Sequence, residues 1–348
     1  MSYFRSLIDA LDGYEPGEQP QDKETIKLNT NENPYPPSPL AIAALKDFDG
    51  KKLRRYPRPL ADEFRVSVGS VLNIDPTWIL VGNGSDDLLN VLFRSVGDTD
   101  RSIAFPKPTY SLYQSLAQLQ NAPVIPIPFD ESYELPVEEL IKAKAALTII
   151  ASPNSPSGNR ISNEAIGRVA ANTSGLIVVD EAYAAFASSN ALSLINQFTN
   201  IVIVRTLSKS HSLAGLRLGF AVAQPKVISG LSKVKDSYNV DSVSSRVGSV
   251  AIQDTAYTEK IVRDICNARD ELSAALTNIG FLVWPSEANF LLVRPPHENA
   301  KTIYTTLKQQ GILVRYFDEE MLRDKLRITV GTSEENQKLL DRLEQFKS

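Results

Sequence analysis

Two residues in this chain stand where chemistry could use them. Lys209 follows the apolar, β-branched run Ile201-Val202-Ile203-Val204 through Arg205-Thr206-Leu207-Ser208. Further upstream, Asp180 closes a similar run, Leu176-Ile177-Val178-Val179. A primary amine just beyond one buried strand could condense with an aldehyde. A carboxylate just beyond another could pair with a pyridinium nitrogen. Pyridoxal phosphate is the cofactor that needs both, and it acts as an electron sink. Taken alone, a lysine is ordinarily a solvated surface residue, and an aspartate at a strand end is as readily a helix cap. The setting of the two together favours the chemical reading. Ser208 and Arg217 flank the lysine with a hydroxyl and a guanidinium that could both reach a phosphate.

Other residues cluster around the same pattern. Tyr183, three residues after Asp180, could reach a phenolic ring oxygen, or simply pack. Gly82-Asn83-Gly84-Ser85-Asp86 joins a strand to a helix and offers backbone N–H groups and a helix dipole to a phosphate. Its spacing is neither that of a dinucleotide fingerprint nor that of a P-loop, which argues against nicotinamide and ATP. Tyr110, in Pro108-Thr109-Tyr110, could stack on an aromatic ring. Asn154 or Ser155, in the tight loop Ala151-Ser152-Pro153-Asn154-Ser155-Pro156-Ser157-Gly158, could touch ring substituents, or only shape the turn. Arg327 sits inside the apolar strand Leu326-Arg327-Ile328-Thr329-Val330, where an unpaired guanidinium is costly. It calls for an anion: a substrate carboxylate or phosphate, or a structural acid. Arg315, after Ile312-Leu313-Val314, is a weaker form of the same case.

Composition narrows the alternatives. The 348 residues are 43% hydrophobic and 22% charged, with a net charge of -4, which gives no reason to expect nucleic acid or an anionic membrane as partner. The single cysteine, Cys266, rules out an intrachain disulfide and suits a reducing compartment. With only His211 and His297, a zinc cluster or a Ser-His-Asp triad has too few members in suitable settings, so no metal is expected. No apolar run approaches the roughly 20 residues that span a bilayer, and Met1–Ser6 lack the apolar stretch of a signal peptide. A cytoplasmic protein is expected.

The elements that must position these residues follow from periodicity. Residues 1–37 read as an arm, broken by Pro16, Pro34, Pro36 and Pro37. A helix is predicted over Ser38 to Asp47, with Ser38 as N-cap and Pro39 at the first helical position. Between about 60 and 255, apolar strands at 78–81, 102–105, 147–150, 177–179 and 201–204 alternate with helices. That alternation implies a mostly parallel sheet covered on both faces, an α/β fold with ligands beyond the carboxyl ends of the strands. After about 260, charged helices (260–276, 300–309) alternate with strands that look half-buried (281–284, 289–293, 312–314, 326–330), as in a smaller α+β unit. The expected division is an arm at 1–37, a large domain at 38–258 and a small one at 259–348.

Together these motifs resemble the fold type I pyridoxal-phosphate aminotransferases over nearly the whole chain, and within them the subgroup acting on histidinol phosphate. The resemblance rests on Asn29-Thr30-Asn31-Glu32-Asn33-Pro34, Arg55-Tyr56-Pro57, Gly82-Asn83-Gly84-Ser85-Asp86, Pro108-Thr109-Tyr110, Asp180-Glu181-Ala182-Tyr183, Ser208-Lys209, Leu213-Ala214-Gly215-Leu216-Arg217-Leu218-Gly219-Phe220, Tyr238-Asn239-Val240 and Leu326-Arg327-Ile328-Thr329-Val330-Gly331-Thr332. It implies a seven-stranded large sheet sandwiched by helices. It implies that Lys209 joins the cofactor and moves the substrate's proton, Asp180 pairs with the ring nitrogen, and Tyr183 pairs with the ring oxygen. Gly84, Ser85, Asp86, Ser208 and Arg217 would surround the phosphate, and Tyr110 would stack on the ring. Tyr56 would reach the neighbouring subunit of a homodimer with shared sites. Tyr14, Asn33 and Arg327 would recognise substrate, with Arg315 helping. The small-molecule partners would be an amino donor and a 2-oxo acid acceptor. An aromatic amino acid aminotransferase or a threonine-phosphate decarboxylase is the nearest alternative. One departure stands out: Ser155 occupies the position of the asparagine that contacts the ring oxygen in that family. The contact passes to Asn154, to Ser155 or to neither, with Asn154 preferred.

Overall fold

A computed structural model describes residues 2–11, 13, 17–20, 22 and 24–346. Its strands in chain order are β1 (Ile26–Lys27), β2 (Ile79–Gly82), β3 (Ile103–Lys107), β4 (Val124–Pro128), β5 (Leu147–Ala151), β6 (Leu176–Asp180), β7 (Ile201–Thr206), β8 (Gly219–Ala223), β9 (Leu282–Val283), β10 (Phe290–Arg294), β11 (Ile312–Leu313), β12 (Arg315–Tyr316) and β13 (Leu326–Thr329). A seven-stranded sheet runs in the order β2-β8-β7-β6-β5-β3-β4. β8 is antiparallel to both its neighbours, and every other pairing is parallel. This is the mostly parallel α/β sheet that the alternating pattern predicts.

The apolar runs explain why the sheet lies in the middle. Ile177, Val179, Ile201 and Ile203 point to one face, where they join Phe64, Val68, Ile166 and Val247 from the helices Asp62–Leu72, Asn163–Asn172 and Ser242–Gln253. Val178, Val202 and Val204 point to the other, against Leu88, Leu92 and Tyr113 from Ser85–Val96 and Leu112–Leu119. Each such side chain contributes about 1.5–3 kcal/mol of burial, and strands buried on both faces need uninterrupted apolar sequence. β4 carries Pro126 and Pro128 and lies at the sheet edge, where missing donors are tolerated. The helix predicted from Ser38 runs Pro39–Lys46, and the Ser38 side chain accepts from the Leu40 N–H.

A second, antiparallel sheet runs β12-β13-β10-β9, and β1 pairs with β11 in parallel. Its central strands depart from the half-buried expectation: Phe290 to Val293 are at most 1% exposed. Leu291 and Val293 pack on helices Thr255–Asn278, Ala300–Gln309 and Ser333–Leu343, while Leu292 faces a second layer of Phe129, Tyr133, Phe317 and Leu322. The strand expected at 312–314 is also divided: β11 pairs with β1, and β12 crosses to β13. No described helix is long and apolar enough to cross a membrane.

Candidate active site

The parallel register brings the strand ends together. Ala151 lies opposite Asp180, and Asp180 opposite Val204, so the loops after β5, β6 and β7 leave the sheet side by side. A cavity of roughly 410 Å³ opens there, closed from above by residues 29–32 and by β12 and β13. That size suits a cofactor-sized ligand. Asp180, Tyr183, Ser208 and Lys209 all border it. The neighbouring Glu181 turns the other way, onto Arg205 at 2.7 Å.

Asp180 sits at the floor. Its Oδ2 accepts the Tyr113 hydroxyl at 2.6 Å and its Oδ1 accepts the Ala182 N–H at 3.1 Å. Burial raises its carboxyl to about 6, while those two hydrogen bonds pull the other way. Tyr113 is fully buried, and burial beside the carboxylate pushes its phenol well up, so it stays the donor. Lys209 Nζ donates to the Thr30 carbonyl at 3.0 Å. Burial, then the Arg327 charge, brings its ammonium down to about 8. An amine at that value is readily neutral, as a nucleophile must be. Its cationic head lies 5.8 Å from the centre of the Tyr183 ring.

A phosphate cradle lies beside this pair. Gly84 has φ +85°, and a Cβ there would stand 2.7 Å from Arg217 Nη2, so the turn admits only glycine. Ser85 opens the 12-residue helix Ser85–Val96, and Ser85 and Asp86 of its first turn border the cavity, where a helix N-terminus favours an anion. Arg217 itself is left-handed at φ 51° and places Nη1 3.5 Å from Ser208 Oγ. Ser85, Ser208 and Arg217 thus border the cavity as donors from two loops, a set that fits a phosphate dianion, while the Gly84 N–H is held by the Gly82 carbonyl at 2.8 Å and Gly84 shapes the turn. Asp86 borders the cavity too, and its carboxylate holds Arg217 Nη2 at 2.9 Å. An acid there orients the arginine, since it would repel a phosphate directly. Tyr110 lines the adjoining wall, edge-on to Tyr113 with centroids 5.6 Å apart, and its hydroxyl reaches Asp86 at 3.4 Å.

The opposite end is cationic. Arg327 Nη1 donates to Ser155 Oγ at 2.9 Å and Nη2 to the Asn29 carbonyl at 2.8 Å. Its guanidinium sits between the rings of Phe290 and Phe317, at 5.3 and 5.6 Å. Arg315 is its direct cross-strand partner, and its guanidinium lies 5.3 Å from the centre of the same Phe317 ring. Like charges directly opposite on neighbouring strands repel, so the pair is arranged for an anion.

Several expected residues stand elsewhere. Asn154 is buried and does not border the cavity: its carboxamide accepts from Thr109 and donates to the Pro108 carbonyl and Ser157 Oγ. Its hydrogen-bonding capacity is used by Thr109, Pro108 and Ser157, and Ser155 is the polar residue of this loop that borders the cavity, where its hydroxyl accepts from Arg327. Asn33 also turns away from substrate. Its Nδ2 donates to the Lys209 carbonyl at 2.8 Å and its Oδ1 accepts from Tyr35 N, which fixes the lysine's backbone. Tyr56 is 82% exposed and stacks on Tyr238 at 4.6 Å, outside the cavity of its own chain. Tyr14 lies outside the described residues. Two residues were not singled out from sequence. Tyr113 lies three positions past Tyr110, and Asn31 lies inside the Asn-rich arm; only their tertiary partners distinguish them from neighbours of the same type.

Comparison with known proteins agrees with this geometry. The sequence profile of aminotransferase class I and II matches residues 23–343. The chain is 51% identical over 336 residues to histidinol-phosphate aminotransferase 1 of Trichormus variabilis, covering 96% of each. It is 49% identical to the protein of the same name from a Nostoc species, covering 98% of this chain and 97% of the relative. The crystal structure of histidinol-phosphate aminotransferase from Sinorhizobium meliloti in complex with pyridoxal-5'-phosphate superposes with a TM-score of 0.91, at 23% identity over 99% of this chain and 98% of that one, a likeness of fold. The chain belongs to the class I and II aminotransferase family.

Proposed function

We propose that the protein transfers the amino group of L-histidinol phosphate to 2-oxoglutarate, giving imidazole acetol phosphate and glutamate, with pyridoxal phosphate as cofactor, in histidine biosynthesis. The observation that carries the substrate is the arginine pair: Arg315 and Arg327 lie directly opposite each other on β12 and β13 and border the cavity, Arg327 on partners (Ser155, Asn29) different from those of Arg217 (Asp86, Ser208). The cradle takes the cofactor's phosphate, so a second cationic end calls for a second anion. A phosphate monoester in one half-reaction and a dicarboxylate in the other both answer it.

When bound, pyridoxal phosphate supplies an aldehyde that joins a primary amine and a ring that draws electrons from the adjacent C–H bond. The chain's own residues do the rest. Ser85, Ser208 and Arg217 would hold the phosphate beside the turn that Gly84 shapes, and Tyr110 would cover the ring. Asp180 holds a proton at the ring nitrogen, and its burial strengthens that interaction. Tyr183 donates to the ring oxygen. Lys209, once its amine is free, would take the proton from the substrate Cα and return it two atoms away, across the nitrogen, at the carbon that the cofactor's aldehyde supplies. Arg327 and Arg315 orient the anionic end of each substrate in turn.

We further infer a cytoplasmic homodimer. Leu40, Leu53 and Tyr56 are large apolar or aromatic residues left exposed on one chain, and a second copy that covered them would let Tyr56 reach the partner's phosphate cradle. Residues 38–258 form the cofactor-binding body in this assignment, and 259–348 carry the arginine pair, with 1–37 as the arm. Parallel rate measurements with histidinol phosphate and with phenylalanine as amino donors, both with 2-oxoglutarate, test the substrate. The proposal expects histidinol phosphate to have the higher kcat/KM by about 100-fold or more, as expected where a charged pair meets its anion. A preference for phenylalanine overturns it.

A further inference from the structure

The mechanism needs Tyr183 to donate, and the structure contains a device that settles which way its hydroxyl points. Asn31 is 1% exposed and holds a left-handed backbone at φ 55°. Its Nδ2 donates to Tyr183 Oη at 2.9 Å. Its Oδ1 accepts the Thr329 hydroxyl at 3.0 Å, while its own backbone N–H donates back to Thr329 Oγ1 at 3.0 Å. The buried Asn289 donates to the Asn31 carbonyl at 3.1 Å.

These bonds fix a direction. Thr329 Oγ1 accepts the Asn31 N–H and gives its one proton to the Asn31 side-chain oxygen. That places the Asn31 amide nitrogen, a pure donor, against Tyr183. A carboxamide turned the other way would set its nitrogen on Thr329 Oγ1 and its oxygen on Tyr183, and the phenol would then donate to Asn31 instead of into the cavity. Tyr183 Oη is therefore made an acceptor from the Asn31 side, and its proton points into the cavity.

We propose that Asn31 is a positioning residue, one that commits Tyr183 to donate to the cofactor's ring oxygen, with Thr329 setting the orientation of its carboxamide. The proposal rests on the pyridoxal-phosphate reading of the site. It also ties the phenol to β13, because Thr329 and the substrate-binding Arg327 lie two residues apart on one strand. Asn31 touches no reacting atom and acts only through Tyr183.

A double-mutant cycle on the full chain tests this. Asn31→Gly keeps the left-handed backbone and removes the donor; it is made in the native and in the Tyr183→Phe background. The readouts are the dissociation constant of the cofactor-free protein for pyridoxal phosphate and the pH midpoint of the bound cofactor's visible band. In the native background Asn31→Gly weakens the cofactor roughly tenfold, the worth of one hydrogen bond. It also moves the midpoint upward, since a donor at the ring oxygen favours its deprotonated form. In the Tyr183→Phe background both effects vanish. Equal effects in both backgrounds overturn the proposal, because a merely structural asparagine would act without the phenol. Should Asn31→Gly lower the melting temperature enough to prevent binding, Thr329→Val replaces it in the same cycle, with a smaller shift of the same sign expected. A native chain that develops no visible band with pyridoxal phosphate overturns the reading of the site as well; a band with an additive cycle overturns this inference alone.

Discussion

Replacing Lys209 by methionine should abolish turnover and, in the cofactor-free protein, make the fold more stable. Folding carries this amine from water to a buried position and lowers its pKa from 10.5 to about 8. At roughly 1.4 kcal/mol per unit, that shift opposes folding by about 3 kcal/mol at neutral pH. Methionine has nearly the same length and no charge, so Lys209→Met removes the penalty. It also removes the 3.0 Å bond to the Thr30 carbonyl, which returns about 1 kcal/mol. A net gain of about 2 kcal/mol remains. The pH dependence identifies its source. Below about 8 the lysine is protonated in both folded and unfolded chains, and the penalty is present in full. Between about 8 and 10.5 the folded chain loses its proton first, so the native protein gains stability as pH rises and the advantage of the variant fades. Urea unfolding of both cofactor-free proteins at pH 7 and pH 10 measures this. A variant no more stable than the parent at pH 7, or a difference that does not shrink by pH 10, refutes the reasoning.

Arg327→Ala should raise KM by about 10–100-fold for both the amino donor and 2-oxoglutarate, the worth of a charge-assisted contact, while the visible band of bound cofactor persists; unchanged kinetics would remove Arg327 from substrate binding. Asp180 has a folded pKa of about 6 against an ordinary 3.8, so the folded chain holds its proton longer and cofactor-free stability falls as pH rises through that window. Tyr113→Phe deletes the 2.6 Å donor to Asp180, so the fall should extend to higher pH in urea unfolding across a pH series. A window that does not move would show that Tyr113 does not hold the carboxylate.

The large sheet was legible because burial on both faces writes itself as continuous apolar runs, and Asp180 and Lys209 stand out by ending or following two of them. β4 and β8 left weaker marks. β4 carries two prolines, which sequence reasoning treats as breakers and only an edge position permits. β8 is short, begins at Gly219, and directly follows the arginine turn. The arginine pair was legible singly, since Arg327 interrupts an apolar strand and Arg315 follows an apolar run, yet their direct opposition depends on a register no sequence displays. Side-chain direction was hidden in the polar loops. Asn33 and Asn154 have the right residue type in the right segments, yet hydrogen bonds to the Lys209 carbonyl and to Pro108 and Ser157 occupy them outside the cavity lining. Tyr113 and Asn31 failed for the opposite reason: nothing local marks them, and their significance comes from partners 67 and 152 positions away.

The central claim is that this cavity uses pyridoxal phosphate to take the amino group from histidinol phosphate. The most direct test is the visible spectrum of the purified, cofactor-loaded protein before and after stoichiometric histidinol phosphate, with no acceptor added. The account predicts that the aldehyde-derived band disappears as the cofactor takes the amino group, and that 2-oxoglutarate restores it. A band that histidinol phosphate leaves unchanged contradicts the account.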